Sequence, residues 1–190
     1  MRYGRFLPSP DLRRREAGII RPKVGRQIVV GVLLLAIVFA IAFFGSMATT
    51  PNVDGWYADV EKVPWDPPNS VFGPAWTTLY VMIAVVGFLI WRAGYDENAE
   101  HNRARRTLGI FVLQLVLNAA WTPAFFAGYP LMGRPVWWLA LAVITALIAT
   151  VIWLIASAVR WTKVGAWLLV PYLLWLLYAA TLNAGIIALN

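Results

Sequence analysis

The sequence predicts an all-α integral membrane protein, a bundle of five transmembrane helices. Three observations predict it: five apolar blocks of near-spanning length, a shortage of charge, and a one-sided placement of the charge that is present. Of 190 residues, 61% are hydrophobic and 13% charged, and the mean hydropathy is +0.67. A soluble domain of this length needs far more polar surface. Each block approaches the roughly 20 residues that cross a hydrocarbon core of about 30 Å. None alternates apolar with polar residues as a barrel strand does, so in lipid the backbone must satisfy itself within helices.

The first block runs near Ile28–Ser46, after a basic arm (residues 1–25) that is expected to be disordered. Its apolar run is longer than a signal-peptide core and the arm is long, so it is expected to be a retained span. Residues 26–190 form one domain. The second block, Gly73–Trp91, lines up Trp76, Tyr80 and Ile83 on one helical face. The third, Leu108–Gly128, places Gln114, Asn118, Trp121 and Phe125 at spacings of four, three and four, again on one face. Two amides on one intramembrane face turn toward other helices or a cavity rather than lipid. Pro123 lacks a backbone donor and is expected to bend this helix just beyond Trp121.

The fourth block, Val136–Ala158, opens on Trp137 and Trp138. Its Ala142 and Ala146, like Ala36 and Ala40 in the first block, permit close helix approach. The fifth, Val164–Leu189, contains Pro171, followed by Trp175, Ala179 and Leu182 on roughly one face, with Tyr172 and Asn183 beside them. Of the eleven tryptophans, Trp91, Trp137, Trp138, Trp161 and Trp167 lie near block ends and fit a headgroup-level belt. Trp76, Trp121, Trp153 and Trp175 lie deeper, where a belt does not explain them.

Fourteen of the sixteen Lys and Arg fall in the N-terminal stretch up to Arg26, in the Arg92–Thr107 connection and near Arg160 and Lys163; only Lys62 and Arg134 fall in the other connections. With five spans, that asymmetry predicts a cytoplasmic N-terminus and a C-terminus on the far side. The net charge of +7 therefore serves topology and anionic lipid contact, not nucleic-acid binding. Cysteine is absent, so thiolate chemistry and disulfides are excluded. No pattern of a metal site, catalytic dyad or phosphate loop is present in the blocks, and no cofactor is expected.

The Pro/Trp-rich segment 48–72 contains Trp56-Tyr57 and Lys62-Val63-Pro64-Trp65-Asp66-Pro67-Pro68. Prolines stiffen it and three aromatics give it surface to bury, which predicts a lid folded over the bundle. Asp54, Asp59, Glu61 and Asp66 against Lys62 leave it at −3.

Three stretches carry a resemblance. They are Trp56-Tyr57 … Lys62 … Trp65-Asp66-Pro67-Pro68 … Phe72-Gly73-Pro74-Ala75-Trp76 … Leu79-Tyr80; Gln114-Leu115 … Leu117-Asn118 … Trp121-Thr122-Pro123 … Phe125-Phe126; and Pro171-Tyr172-Leu173 … Trp175 … Leu182-Asn183. Together they resemble the tryptophan-rich sensory protein family, also called the translocator protein or peripheral benzodiazepine receptor family, in a bacterial-type member. The resemblance implies a five-helix bundle, commonly a homodimer, with a ligand pocket under the first loop that takes porphyrins. Trp76 and Trp175 match tryptophans implicated in porphyrin breakdown by some bacterial relatives. Asn118, Trp121 and Phe125 match pocket-facing positions, and Trp138 most nearly matches a further pocket tryptophan, with Trp137 the alternative.

The candidate ligand-binding set is Trp56, Trp65, Trp76, Tyr80, Asn118, Trp121, Phe125, Trp138, Trp175 and Ala179. Two departures stand out. Val63 separates Lys62 from Pro64 where the family has proline directly after the lysine, and no basic residue follows Tyr178, so dedicated sterol binding is not expected.

The expected function is a membrane receptor or sensor that binds porphyrins and related hydrophobic ligands. The alternatives are light-dependent porphyrin degradation, with Trp76 and Trp175 as the redox relay, and tetrapyrrole or lipid transport. Helical spans favour the bacterial cell membrane over the outer membrane.

Overall fold

The computed structural model describes residues 22–96 and 101–190. Five long helices make up the fold: α1 (Val24–Val53), α2 (Phe72–Ala93), α3 (Arg105–Thr122), α4 (Pro135–Ala158) and α5 (Lys163–Leu189). Each is long and apolar enough to cross a membrane, and no strand occurs among the described residues. Most of the basic arm, residues 1–21, lies outside the described residues. Val24 and Gly25, at its end, already belong to α1.

α1 runs past its apolar block at both ends. It continues through Pro51 to Val53, so the first part of the segment read as loop, residues 48–53, is helical. Pro51 removes one backbone donor, and side-chain donors flank the gap. Thr49 Oγ1 donates to the Gly45 carbonyl and Asn52 Nδ2 to the Ala48 carbonyl, each at 2.8 Å. At Pro123 α3 gives way to a π turn, Pro123–Ala127, in which the Gly128 amide reaches back to the Pro123 carbonyl at 2.9 Å.

Around the bundle the helices follow the order α1, α2, α5, α4, α3, with α3 closing against α1 and α2 touching α3 across the middle. α4 buries Ala140, Ile144, Leu147, Val151, Leu154 and Ala158 completely, a stripe of alternating four- and three-residue steps that keeps one face toward α3 and α5. Small Ala140 and Ala158 bring the neighbouring backbones close. α1 is different: Val38 is its only buried residue, while Val29, Val32, Leu33 and Phe44 face outward.

The α2–α3 crossing depends on Gly87. A Cβ there would stand 2.5 Å from Cζ of the buried Phe111 ring. Gly87→Ala is expected to cost about 1–3 kcal/mol by overpacking, read as a lower apparent Tm of the detergent-purified protein. An unchanged Tm would mean that the Phe111 ring can turn aside.

Helix rotation sorts the tryptophans differently from their depth in the sequence. Trp138, Trp153 and Trp167 are 63%, 59% and 74% exposed and face out of the bundle, so the deep position of Trp153 reflects no interior role. Trp137, grouped with the belt by position, is 1% exposed. Adjacent residues on a helix point about 100° apart, and the rotation of α4 turns Trp137 inward and Trp138 outward.

Candidate functional site

A cavity of ≈ 920 Å³ lies between α1, α2, the π turn and α5, toward the upper end of the roughly 300–1,000 Å³ usual for small-molecule sites. Each element contributes one face. α2 supplies Trp76 and Tyr80; the end of α3 and the π turn supply Trp121 and Phe125; α5 supplies Trp175, Ala179 and Leu182. Steps of three and four residues make these coherent walls. Trp76 is the hub. Its ring stacks on Tyr80 at 5.4 Å and meets Trp121 at 6.3 Å and Trp175, edge-on, at 6.4 Å. Trp121 in turn stacks on Phe125 at 5.7 Å.

Beneath these rings a hydrogen-bonded strut crosses three helices. The Tyr80 hydroxyl donates to Asn118 Oδ1 (2.9 Å), Asn118 Nδ2 donates to the Tyr172 hydroxyl (2.9 Å), and that hydroxyl donates to Gln114 Oε1 (3.2 Å). All four side chains are buried, where an unmade hydrogen bond is costly. Three polar atoms of cavity-wall residues have no partner among the described residues: the indole N–H groups of Trp121 and Trp175, and Asn183 Oδ1. The wall thus presents chiefly aromatic faces, with these three polar atoms buried inside it.

The loop after α1 forms the roof through a short helix, Trp56–Asp59, and a 3-10 turn, Asn69–Val71. Tyr57 lines the cavity, donates its hydroxyl to Asp66 Oδ1 at 2.9 Å, and carries Lys62 Nζ over its ring at 4.7 Å. Burial first, then the hydrogen bond to Asp66 and the charge of that carboxylate, push the Tyr57 pKa well above its ordinary value. Its hydroxyl therefore stays protonated, and a donor, throughout the neutral range.

The rest of the roof is fastened to α5. Trp65 Nε1 donates to Thr181 Oγ1 at 3.2 Å, and the Trp65 carbonyl accepts from the Tyr178 hydroxyl at 2.6 Å. Asn190 clasps the Glu61 backbone with two bonds of 3.0 Å. Val63 packs directly on Gly185, where an added Cβ would collide with its Cγ1, so the loop seats on α5 at this point too. Gly185→Val is expected to lift this loop and speed trypsin cleavage after Lys62 several-fold. Gly109→Val, where a Cβ meets open space, is expected to leave the cleavage rate unchanged.

Residues 33–189 match the family model described as the TspO/MBR family. The chain belongs to the TspO/MBR family. It is 40% identical over 154 residues to the tryptophan-rich protein TspO of Archaeoglobus fulgidus, covering 80% of this chain and 92% of that protein. It is 39% identical over 148 residues to the translocator protein of Sus scrofa, covering 73% and 79%. To the tryptophan-rich sensory protein of Cereibacter sphaeroides it is 33% identical over 158 residues, covering 79% and 88%.

In this TspO/MBR-family chain, six of the ten residues singled out from the sequence line the cavity together: Trp76, Tyr80, Trp121, Phe125, Trp175 and Ala179. Four do not. Asn118 lies behind the wall, with its amide committed to Tyr80 and Tyr172. Trp56 turns to the other side of Phe126, donates to that carbonyl at 3.0 Å, and packs on Tyr129 and Trp137. Trp65 lies half-exposed on the roof, and Trp138 faces away from the bundle. The alternative, Trp137, is buried but stacks on Tyr129 at 4.6 Å rather than lining the cavity.

The residues missed include Tyr57, Phe72 and Phe126, and a whole wall on α1. Phe39, Phe43, Ser46, Thr49, Thr50 and Val53 continue one helical face along the cavity to Asp54, the one charged residue on its wall. Their three- and four-residue steps are a readable signal only once α1 is known to pass Ser46.

Proposed function

We propose that the protein is a membrane receptor for porphyrins or related tetrapyrroles, bound under the loop in the tryptophan-lined cavity. Membership of the TspO/MBR family supports a membrane sensor or translocator role. The observation that carries the ligand assignment is the wall itself. Trp76, Trp121, Trp175, Phe125 and Tyr80 surround a space of ≈ 920 Å³. A flat aromatic ligand suits such walls, each ring contact contributing roughly 0.5–1.5 kcal/mol beyond area burial. The wall includes no His, Cys or Met, so the reading is one of stacking without an axial ligand. The charge asymmetry supports a cytoplasmic N-terminus.

A second reading has an observation of its own. Trp76 touches Trp175, Trp121 and Tyr80 ring to ring, a continuous path for electron transfer from an indole to a light-excited porphyrin, with dioxygen as the terminal oxidant. One experiment addresses both. Detergent-purified protein is titrated with protoporphyrin IX in the dark while tryptophan fluorescence is followed, and the complex is then illuminated. Saturable quenching with a stable porphyrin spectrum supports the receptor. Protein-dependent bleaching beyond that of free porphyrin, lost in a Trp76→Phe/Trp175→Phe variant, supports the photochemical enzyme. Quenching that never saturates removes both.

A further inference from the structure

A second concavity lies on the α1–α2 seam, beyond the wholly buried Val38 and away from the tryptophan cavity. It is a groove of ≈ 410 Å³ lined by Val24, Gln27, Ile28, Gly31 and Leu35 of α1 and by Ala84, Val85 and Phe88 of α2. We propose that this groove binds one anionic glycerophospholipid, its acyl chain along the seam and its phosphate among Lys23, Arg26 and Arg92.

Length is the first argument. Val24 to Leu35 rises about 16 Å along the helix, close to the hydrocarbon depth of one leaflet, about 15 Å. The groove is thus one acyl chain deep. Charge is the second. Lys23 lies one turn before Gln27, and Arg92 one turn after Phe88, on the same faces that line the groove. Arg26 reaches the same end, where its guanidinium lies 5.2 Å from the Tyr95 ring centre and donates to the Tyr95 hydroxyl at 3.4 Å. Lys23 and Arg92 form no ion pair with a described residue, and Asp96 at this end is paired with Arg103.

The third argument is the level at which these charges sit. Phe88, Trp91 and Tyr95 follow one another at 5.9 and 6.0 Å, so the indole and phenol that favour the headgroup region coincide with the cationic end of the groove. A second copy of this chain suits the site poorly. Membrane topology holds both copies in one orientation, so a two-fold contact here would bring the same cations face to face. A phospholipid meets both ends of the groove.

Gly31 makes the test clean, because a Cβ there meets nothing within 4 Å. Gly31→Leu puts a side chain into the groove from a position where the Cβ displaces nothing; Gly109→Leu, whose Cβ likewise meets nothing, serves as the control. These two, the wild type and a Lys23→Gln/Arg26→Gln/Arg92→Gln variant are first matched for apparent Tm. They are then titrated in detergent with dioleoyl phosphatidylglycerol or dioleoyl phosphatidylcholine, and retained lipid is counted by native mass spectrometry.

Wild type and Gly109→Leu are expected to retain one phosphatidylglycerol at concentrations where phosphatidylcholine is lost. Gly31→Leu is expected to weaken that retention at least tenfold. The charge variant is expected to lose roughly fivefold per cation removed, down to the phosphatidylcholine level. Equal retention of the two lipids by the wild type, or unaltered retention by Gly31→Leu, overturns the proposal. If Gly31→Leu instead changes the oligomeric state, the groove belongs to a second copy and the lipid assignment falls.

Discussion

Replacing Asn118 by leucine is expected to lower the stability of the detergent-purified protein by about 2–3 kcal/mol and to loosen the cavity wall at the same time. The leucine keeps most of the volume but removes both hydrogen bonds of the amide. The Tyr80 hydroxyl then loses its acceptor and the Tyr172 hydroxyl its incoming donor, in a layer where neither can reach water. Tyr80→Phe removes a single bond and should cost about 1 kcal/mol or less. The expected order of apparent Tm is therefore wild type, Tyr80→Phe, Asn118→Leu. Equal stability of Asn118→Leu and wild type would show that the strut does not hold the three helices in place.

The second large effect concerns ligand binding. Under the receptor reading, Trp76→Ala/Trp175→Ala is expected to weaken protoporphyrin IX binding by roughly 10–100-fold, from the loss of two ring contacts and their buried area. Trp76 matters most because it touches four other rings: Tyr80, Trp121, Tyr172 and Trp175. Its truncation removes a wall and also the support of its neighbours. Trp138→Ala and Trp153→Ala, on the outward face of α4, are expected to leave the affinity unchanged. That contrast separates binding in the cavity from partition of a hydrophobic dye into the micelle, which would be indifferent to all four residues or respond to the exposed ones. Titration by porphyrin absorbance, rather than indole fluorescence, keeps the readout independent of how many tryptophans each variant retains.

Much of this architecture is legible in the chain because lipid enforces simple rules. Long uncharged runs must be helices, and residues four apart must share a face, which is why Trp76 with Tyr80, Trp121 with Phe125 and Trp175 with Ala179 reach the same cavity. What escaped depends on helix rotation and on contacts distant in sequence. Trp137 rather than Trp138 faces inward because Tyr129 and Trp56 pack against it, and neither contact leaves a trace in the local pattern. Asn118 was recognisable as buried, but an amide turned toward a ligand and an amide joining three helices have the same spacing. The α1 wall was hidden by Pro51 and the polar run around it, which look like a loop. Side-chain donors from Thr49 and Asn52 flank the interruption that proline makes, and the helix continues past it.

The shallow burial of α1 gives the cavity a mechanical character of its own. One of its four walls is a span with a single buried residue. In a bilayer such a span can part from its neighbours without unfolding, because acyl chains replace the side chains it leaves. Separation of α1 is thus among the lowest-energy openings of the bundle, and it dismantles the cavity while the α3–α4–α5 packing stays intact. A ligand that fills the cavity touches α1 together with α2, the end of α3 and α5, so its binding free energy adds to their cohesion. Ligand occupancy then acts as a clamp that sets how tightly the first span is held to the other four.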